Sequence, residues 1–155
     1  LAFYVQDGVP DKKIVAIPEG GHCYVHSQFT FEPLQMKMEH PDAILMVHPE
    51  CSPDVLRRAD FIGSTSQMLN YAKTSDHSEF IVATEIGLIQ RMTKEIPNKT
   101  FIMAKPDAIC TQMKLHTLEK IKSVLKMKDK VVKVPSDIAE KARKAILRMV
   151  SLTND

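Results

Sequence analysis

All three cysteines of the chain stand close behind a proline and an acid: Pro18-Glu19 precedes Cys23, Pro49-Glu50 runs into Cys51, and Pro106-Asp107 precedes Cys110. Thiolates are nucleophiles and soft metal ligands, so their placement decides what chemistry is open to the chain. Gly20 to His26, GGHCYVH, sets Cys23 between His22 and His26. That stretch reads equally as a set of metal ligands and as a glycine turn holding a thiol, because backbones turn at such places with or without chemistry. No C-x2-C pair occurs, so the spacing fits no zinc ribbon or finger. Each cysteine also has a plainer reading as a small buried hydrophobe.

His48 and Glu50 flank Pro49, and alternation puts both on the same side of the chain, where an imidazole and a carboxylate can share proton transfer. The plain alternative for Glu50 is a solvated loop acid, and for His26 a satisfied loop histidine. Gly63-Ser64-Thr65 follows Asp60-Phe61-Ile62 and opens a helix. Ser64 or Thr65 there serves as an N-cap, and the same amides and hydroxyls suit a carboxylate or phosphate. Glu85, after Phe80–Ala83, reads either as a pocket acid or as an acid at a helix N-terminus. His22, His40, His77 and His116 read as structural.

Elements that could hold these residues alternate along the chain. Short apolar runs rich in β-branched residues predict strands over Lys13–Ile17, Ala43–Val47, Phe80–Ala83, Phe101–Met103 and Val131–Val134. Helical periodicity covers the opening LAFYVQD and residues 29–39, 53–59, 67–73, 86–95, 113–126 and 136–149, the last with Ser136 as N-cap. Such alternation with near-continuous apolar strands predicts an α/β fold, a parallel sheet with helices on both faces. Ligands of such folds sit beyond the carboxyl ends of the strands, where all three cysteines fall.

Composition narrows the function classes. Lys+Arg 21 against Asp+Glu 19 leaves a net charge of +2, too balanced for nucleic acid as main partner. No apolar run reaches the roughly 18 residues of a membrane span, no signal-peptide pattern is present, and an odd, widely spaced cysteine set argues against a disulfide framework. These features argue for a cytosolic protein. A start at Leu1, inside a helical pattern, suggests the C-terminal piece of a longer chain.

GGHCYVH, VHPEC, GSTSQM, ATEIGL, PNKTF, CTQMK and PSDIAEKARKAILRM, in that order, resemble the C-terminal half of the quinolinate synthases, iron-sulfur enzymes of NAD biosynthesis. The resemblance implies three similar α/β/α units about a pseudo-threefold axis, each giving one cysteine to a 4Fe-4S cluster. On that pattern residues 1–23 end the second unit, 24–110 form the third and 111–155 are a C-terminal extension. It also implies Cys23 and Cys110 as cluster ligands, with the third cysteine in an N-terminal part and Cys51 outside the ligand set. Glu50 is implied as general acid/base, His48 as its partner and a substrate contact, and His26, Ser64 and Thr65 as further substrate contacts. The implied reaction condenses iminoaspartate with dihydroxyacetone phosphate, coupled to an L-aspartate oxidase or aspartate dehydrogenase. Two other readings stay open from the residues alone: an inactive truncated remnant, and a metal-free α/β module that binds phosphate or other anions.

Overall fold

The computed structural model describes residues 5, 8, 10–15, 23–128 and 131–152. The chain divides into two units, Leu1–Thr111 and Gln112–Asp155. Strands β1 (Ile44–Val47), β2 (Phe61–Ile62), β3 (Glu79–Ala83) and β4 (Thr100–Met103) form a parallel sheet in the order β2-β1-β3-β4. Helix α1 (Glu32–Glu39) precedes β1, and α2 (Pro53–Leu56), α3 (Thr65–Thr74) and α4 (Ile86–Glu95) run between successive strands.

Strand alternation sorts the core into two layers. Leu45, Val47, Ile81 and Ala83 face Val25, Phe29, Val55 and Leu56 on one side. Met46, Phe80 and Val82 face Met68, Leu69, Ala72, Leu88 and Met92, from α3 and α4, on the other. Both faces of β1 and β3 are therefore buried, which is why these strands read as unbroken apolar runs. The fold is α/β with helices on both faces of a parallel sheet, as the sequence predicts.

Some boundaries and elements differ from expectation. β2 is a strand of 2 residues, below the length at which a strand pattern registers in sequence. The helix predicted from Phe29 starts at Glu32 with Pro33 in the first turn, and a 3-10 turn, His26–Gln28, lies just before the predicted segment. Residues 13–15 carry no strand, and the rest of the Lys13–Ile17 expectation lies outside the described residues, as does most of the opening helix, of which Val5 is helical.

In the second unit, the helix expected over 113–126 divides into a 3-10 turn, Met113–Leu115, and α5, Leu118–Met127. The division falls where the Thr117 side chain caps α5 by accepting from the Lys120 N–H. Val131–Val134 forms no strand, and Val131, Val132 and Val134 are exposed. A β-branched run becomes a strand only when a ladder partner takes up its backbone groups. Helix α6 (Ser136–Leu152) starts one residue earlier than capping by Ser136 requires: the Ala139 N–H bonds the Pro135 carbonyl, which puts Pro135 at the cap.

The entry to β1 is held by charge. Lys37 Nζ donates to the Ala43 carbonyl at 2.6 Å and to Asp60 Oδ2 at 2.8 Å, and the same oxygen accepts from the Leu45 N–H at 2.8 Å. Burial opposes ionisation of Asp60, but the Lys37 ammonium and the Leu45 amide outweigh it and hold the carboxyl below its ordinary 3.8. Asp60 therefore stabilises the fold above that pH, and the contribution is lost as pH falls through the lowered value. Asp60→Asn should cost about 1 kcal/mol in denaturant unfolding at neutral pH, since the pair is partly solvated. The difference from the parent chain should vanish in acid; a gap that persists there would dismiss the clamp.

Candidate active site at the carboxyl edge of the sheet

Backbone pairing continues one step past each strand and brings four loops to one edge. His48 N–H bonds the Ala83 carbonyl, Gly63 N–H the Val47 carbonyl and Ala104 N–H the Val82 carbonyl. Gly63 makes the turn into α3 at close quarters, since a Cβ there would lie 2.7 Å from the Phe61 ring.

His26 is buried at 7% exposure and crosses from the 3-10 turn to two of these loops. Its Nδ1 lies 3.2 Å from Glu50 Oε2 and its Nε2 2.9 Å from Thr84 Oγ1. A carboxylate only accepts, so Nδ1 carries the imidazole proton and Nε2 accepts from the Thr84 hydroxyl. The His48 ring stacks on His26 at 3.9 Å between centroids and 3° between planes. His48 Nδ1 accepts the Glu50 backbone N–H at 3.3 Å, which leaves its own proton on Nε2. Burial, with neighbouring His26 adding to it, pushes the His48 imidazole down to about 4. His26 is also lowered, mainly by burial, against the pull of the Glu50 carboxylate. The carboxylate of Glu50 has one oxygen held by His26, and its side chain is 29% exposed.

Cys23 joins this group: one ligand atom each from Cys23, His26 and Glu50 lie within 4.8 Å of one another. Cys110 is reached from the neighbour of Cys23, because the Tyr24 hydroxyl donates to Cys110 Sγ at 3.5 Å and pairs with Thr111 Oγ1 at 3.0 Å. Cys23 and Cys110 form no disulfide, are half-buried and are packed on the same core layer. Cys51 is buried; its thiol donates to the Ala83 carbonyl at 3.6 Å, and burial pushes its pKa up to about 12. Two half-buried thiols outside any disulfide, beside a third whose burial favours S–H, are a donor set that fits a soft-ligand iron-sulfur group.

Glu85 has a structural position: it caps α4, accepting from the Gly87 N–H at 2.6 Å, and its other oxygen accepts from the Cys110 N–H. Ser64 caps α3 in a box with Gln67, its hydroxyl accepting from the Gln67 N–H and its N–H donating to the Gln67 side chain. Thr65 is exposed in the first turn. Thr84 and Tyr24 were not singled out by sequence. Thr84 is 58 positions from His26, and only its place behind a strand hinted at a role.

A family model described as NadA, quinolinate synthetase A protein, matches residues 1–151. The chain belongs to this family. It is 46% identical over 157 residues to the quinolinate synthase of Methanocaldococcus jannaschii, covering 98% of this chain and 51% of that protein. Against the quinolinate synthase of Pyrococcus furiosus it is 47% identical over 154 residues, covering 99% of this chain and 50% of that protein. The chain thus spans about half the length of the curated relatives it matches. No helix among the described residues is long and apolar enough to cross a membrane.

The depressed His48 imidazole makes a signed prediction. An unfolded chain protonates His48 near its ordinary 6.5, whereas the folded chain does so near about 4. Between these values the unfolded state binds more protons, so stability falls as pH drops through the window. Unfolding midpoints taken across it should slope downward toward acid, and His48→Gln should shallow the slope, leaving the part due to His26. An identical slope in the variant would contradict the assignment.

Proposed function

We propose that this chain is the C-terminal half of a quinolinate synthase, acting in the cytosol within the whole protein on iminoaspartate and dihydroxyacetone phosphate to give quinolinate. The observation that carries the reading is the meeting of Cys23, His26 and Glu50 at one strand edge, in a chain that a quinolinate synthetase model matches almost end to end. Residues 1–23 are proposed to close a second α/β unit, 24–110 to form a third and 111–155 to extend it. The supply of iminoaspartate implies coupling to an aspartate-oxidising enzyme.

Cys23 and Cys110 would hold a 4Fe-4S cluster, with the third thiolate from the half of the family sequence this chain does not span. When bound, the cluster supplies a Lewis-acidic iron that polarises substrate oxygens. The chain's own residues handle protons and position. Glu50 takes a proton from the condensing carbon and returns one to a departing hydroxyl, using the carboxylate oxygen that His26 leaves free. His26 fixes that carboxylate through Nδ1, and Thr84 fixes His26 in turn. A substrate carboxylate approaching His26 meets it at the edge it shares with Glu50. Neutral His48 offers its Nε2–H to a substrate oxygen, a role its depressed pKa supports because a neutral imidazole donates without adding charge. The first turn of α3, with the Thr65 hydroxyl and the amides beside Ser64, suits the phosphate or carboxylate end of a substrate.

Glu50→Gln in the whole enzyme keeps shape and hydrogen bonding but removes the titrating proton. Quinolinate formation should fall roughly 10²- to 10⁴-fold with iron and sulfide content unchanged. Near-parental turnover would leave Glu50 without a catalytic role. Cys23→Ser or Cys110→Ser should empty the cluster site, whereas Cys51→Ser should not. The 155-residue chain alone should form no quinolinate, because it offers two of the three thiolates; turnover by the isolated chain would overturn the ligand assignment.

A further inference from the structure

We propose that Cys23, His26 and Glu50 form a mononuclear site for a divalent transition-metal ion, zinc(II) foremost, in the chain that carries no cluster. Their ligand atoms lie within 4.8 Å of one another, and His26 Nδ1 is already 3.2 Å from Glu50 Oε2. Tetrahedral zinc with bonds of about 2.0–2.3 Å sets its donors roughly 3.3–3.7 Å apart, so closing the site takes a shift of about 1 Å. Rotation of the Cys23 side chain in its half-buried position is of that order. The histidine and carboxylate need little movement.

The donor types select the ion. One sulfur, one nitrogen and one oxygen suit borderline zinc, whereas magnesium and calcium take oxygen ligands and copper(I) prefers sulfur. Three protein ligands leave a fourth position for water, which the partly exposed Glu50 side chain keeps open to solvent.

The surroundings of His26 are those of a ligating imidazole. Such a histidine is oriented by a hydrogen bond at its other nitrogen. Here Nε2 faces the hydroxyl of Thr84, which is 1% exposed, at 2.9 Å. Without metal, the proton between Nδ1 and Glu50 holds the pair together. A metal at Nδ1 takes that proton's place, the imidazole proton moves to Nε2, and the Thr84 hydroxyl turns from donor to acceptor. His26 Nε2 and Thr84 Oγ1 stay paired in the exchange. The proton released to solvent is the one Cys23 gives up on becoming a thiolate.

Cys23 is shared with the proposed cluster, so on that reading zinc and cluster exclude each other, and zinc would trap the chain before cluster assembly. The site itself is testable without any cluster, which separates its failure from failure of the proposed function.

Cobalt(II) titration of the metal-free, reduced 155-residue chain reads the site directly. One saturable ion per chain is expected, with a sulfur-to-cobalt charge-transfer band in the near ultraviolet and tetrahedral ligand-field bands in the visible, both removed by added zinc(II). Cys23→Ser should lose the charge-transfer band and Glu50→Gln the tight binding, with the far-ultraviolet dichroism of each matching the parent. Thr84→Val, which leaves all three ligands in place, should weaken binding about ten- to a hundredfold. Cys110→Ser should bind as the parent does. Absence of saturable binding, loss of the band in Cys110→Ser, or parental affinity in both Glu50→Gln and Thr84→Val would each overturn the proposal.

Discussion

The satisfaction of one buried imidazole constrains the whole edge of this sheet. His26 sits against the apolar layer built from Val25, Phe29, Val47 and Ala83, where an unpaired ring nitrogen would cost roughly 1–3 kcal/mol. Both nitrogens are paired, and the two partners belong to different loops: Glu50 follows β1 and Thr84 follows β3. Joining them through one rigid ring fixes the first loop against the second and seats the 3-10 turn above both. Cys23 and Tyr24, just before that turn, are thereby carried to the loop after β4, where Tyr24 meets Cys110. One hydrogen-bonded side chain thus sets the relative places of three chain segments.

The same arrangement explains why two histidines lie face to face without repulsion. Stacked rings 3.9 Å apart could not both carry charge at low cost, and burial keeps both below their ordinary titration. The neutral pair surrounds a carboxylate, so charge at this edge is concentrated on Glu50. Around it, structural roles absorb the other acids: Glu85 is committed to the start of α4 and the Cys110 amide, and Glu32 pairs with Lys105 at 2.8 Å. Glu50, in contrast, keeps a side chain that is 29% exposed.

How much of this was legible in sequence depends on the range of the interaction. β1 and β3 announce themselves because parallel strands covered on both faces must be apolar throughout, and the partly covered edge strand β4 through its run Phe101-Ile102-Met103. The same rule misread Val131–Val134, since composition records the side chains and not the presence of a ladder partner. β2 escaped because 2 residues make no pattern. Ser64 was readable as a cap from its local spacing to a helix start, and its partner Gln67 is 3 positions on. The link from His26 to Thr84 spans 58 positions, joins a residue type common in loops to one common in strands, and leaves no local trace. His26 is a satisfied histidine, and satisfying it is what places Glu50.

Cys51 shows why nearness in sequence is a poor guide at this edge. It adjoins Glu50, yet neighbouring residues in an extended or turning chain send their side chains different ways. Glu50 goes to His26 and solvent, while Cys51 turns under the sheet edge against Val47, Val55 and Ala83. There its thiol meets a backbone carbonyl, an acceptor that stabilises S–H and not S⁻, and burial raises its pKa to about 12. Burial and the S–H bond both work against the thiolate form that a nucleophile or soft ligand requires. Cys23 and Cys110 stand far from each other in sequence, but the side chain of Tyr24, next to Cys23, reaches the Cys110 thiol, and both cysteines are partly exposed. The division among three identical side chains follows from burial and hydrogen-bond polarity, and in the loop after β1 the same burial sets Cys51 apart from the partly exposed Glu50.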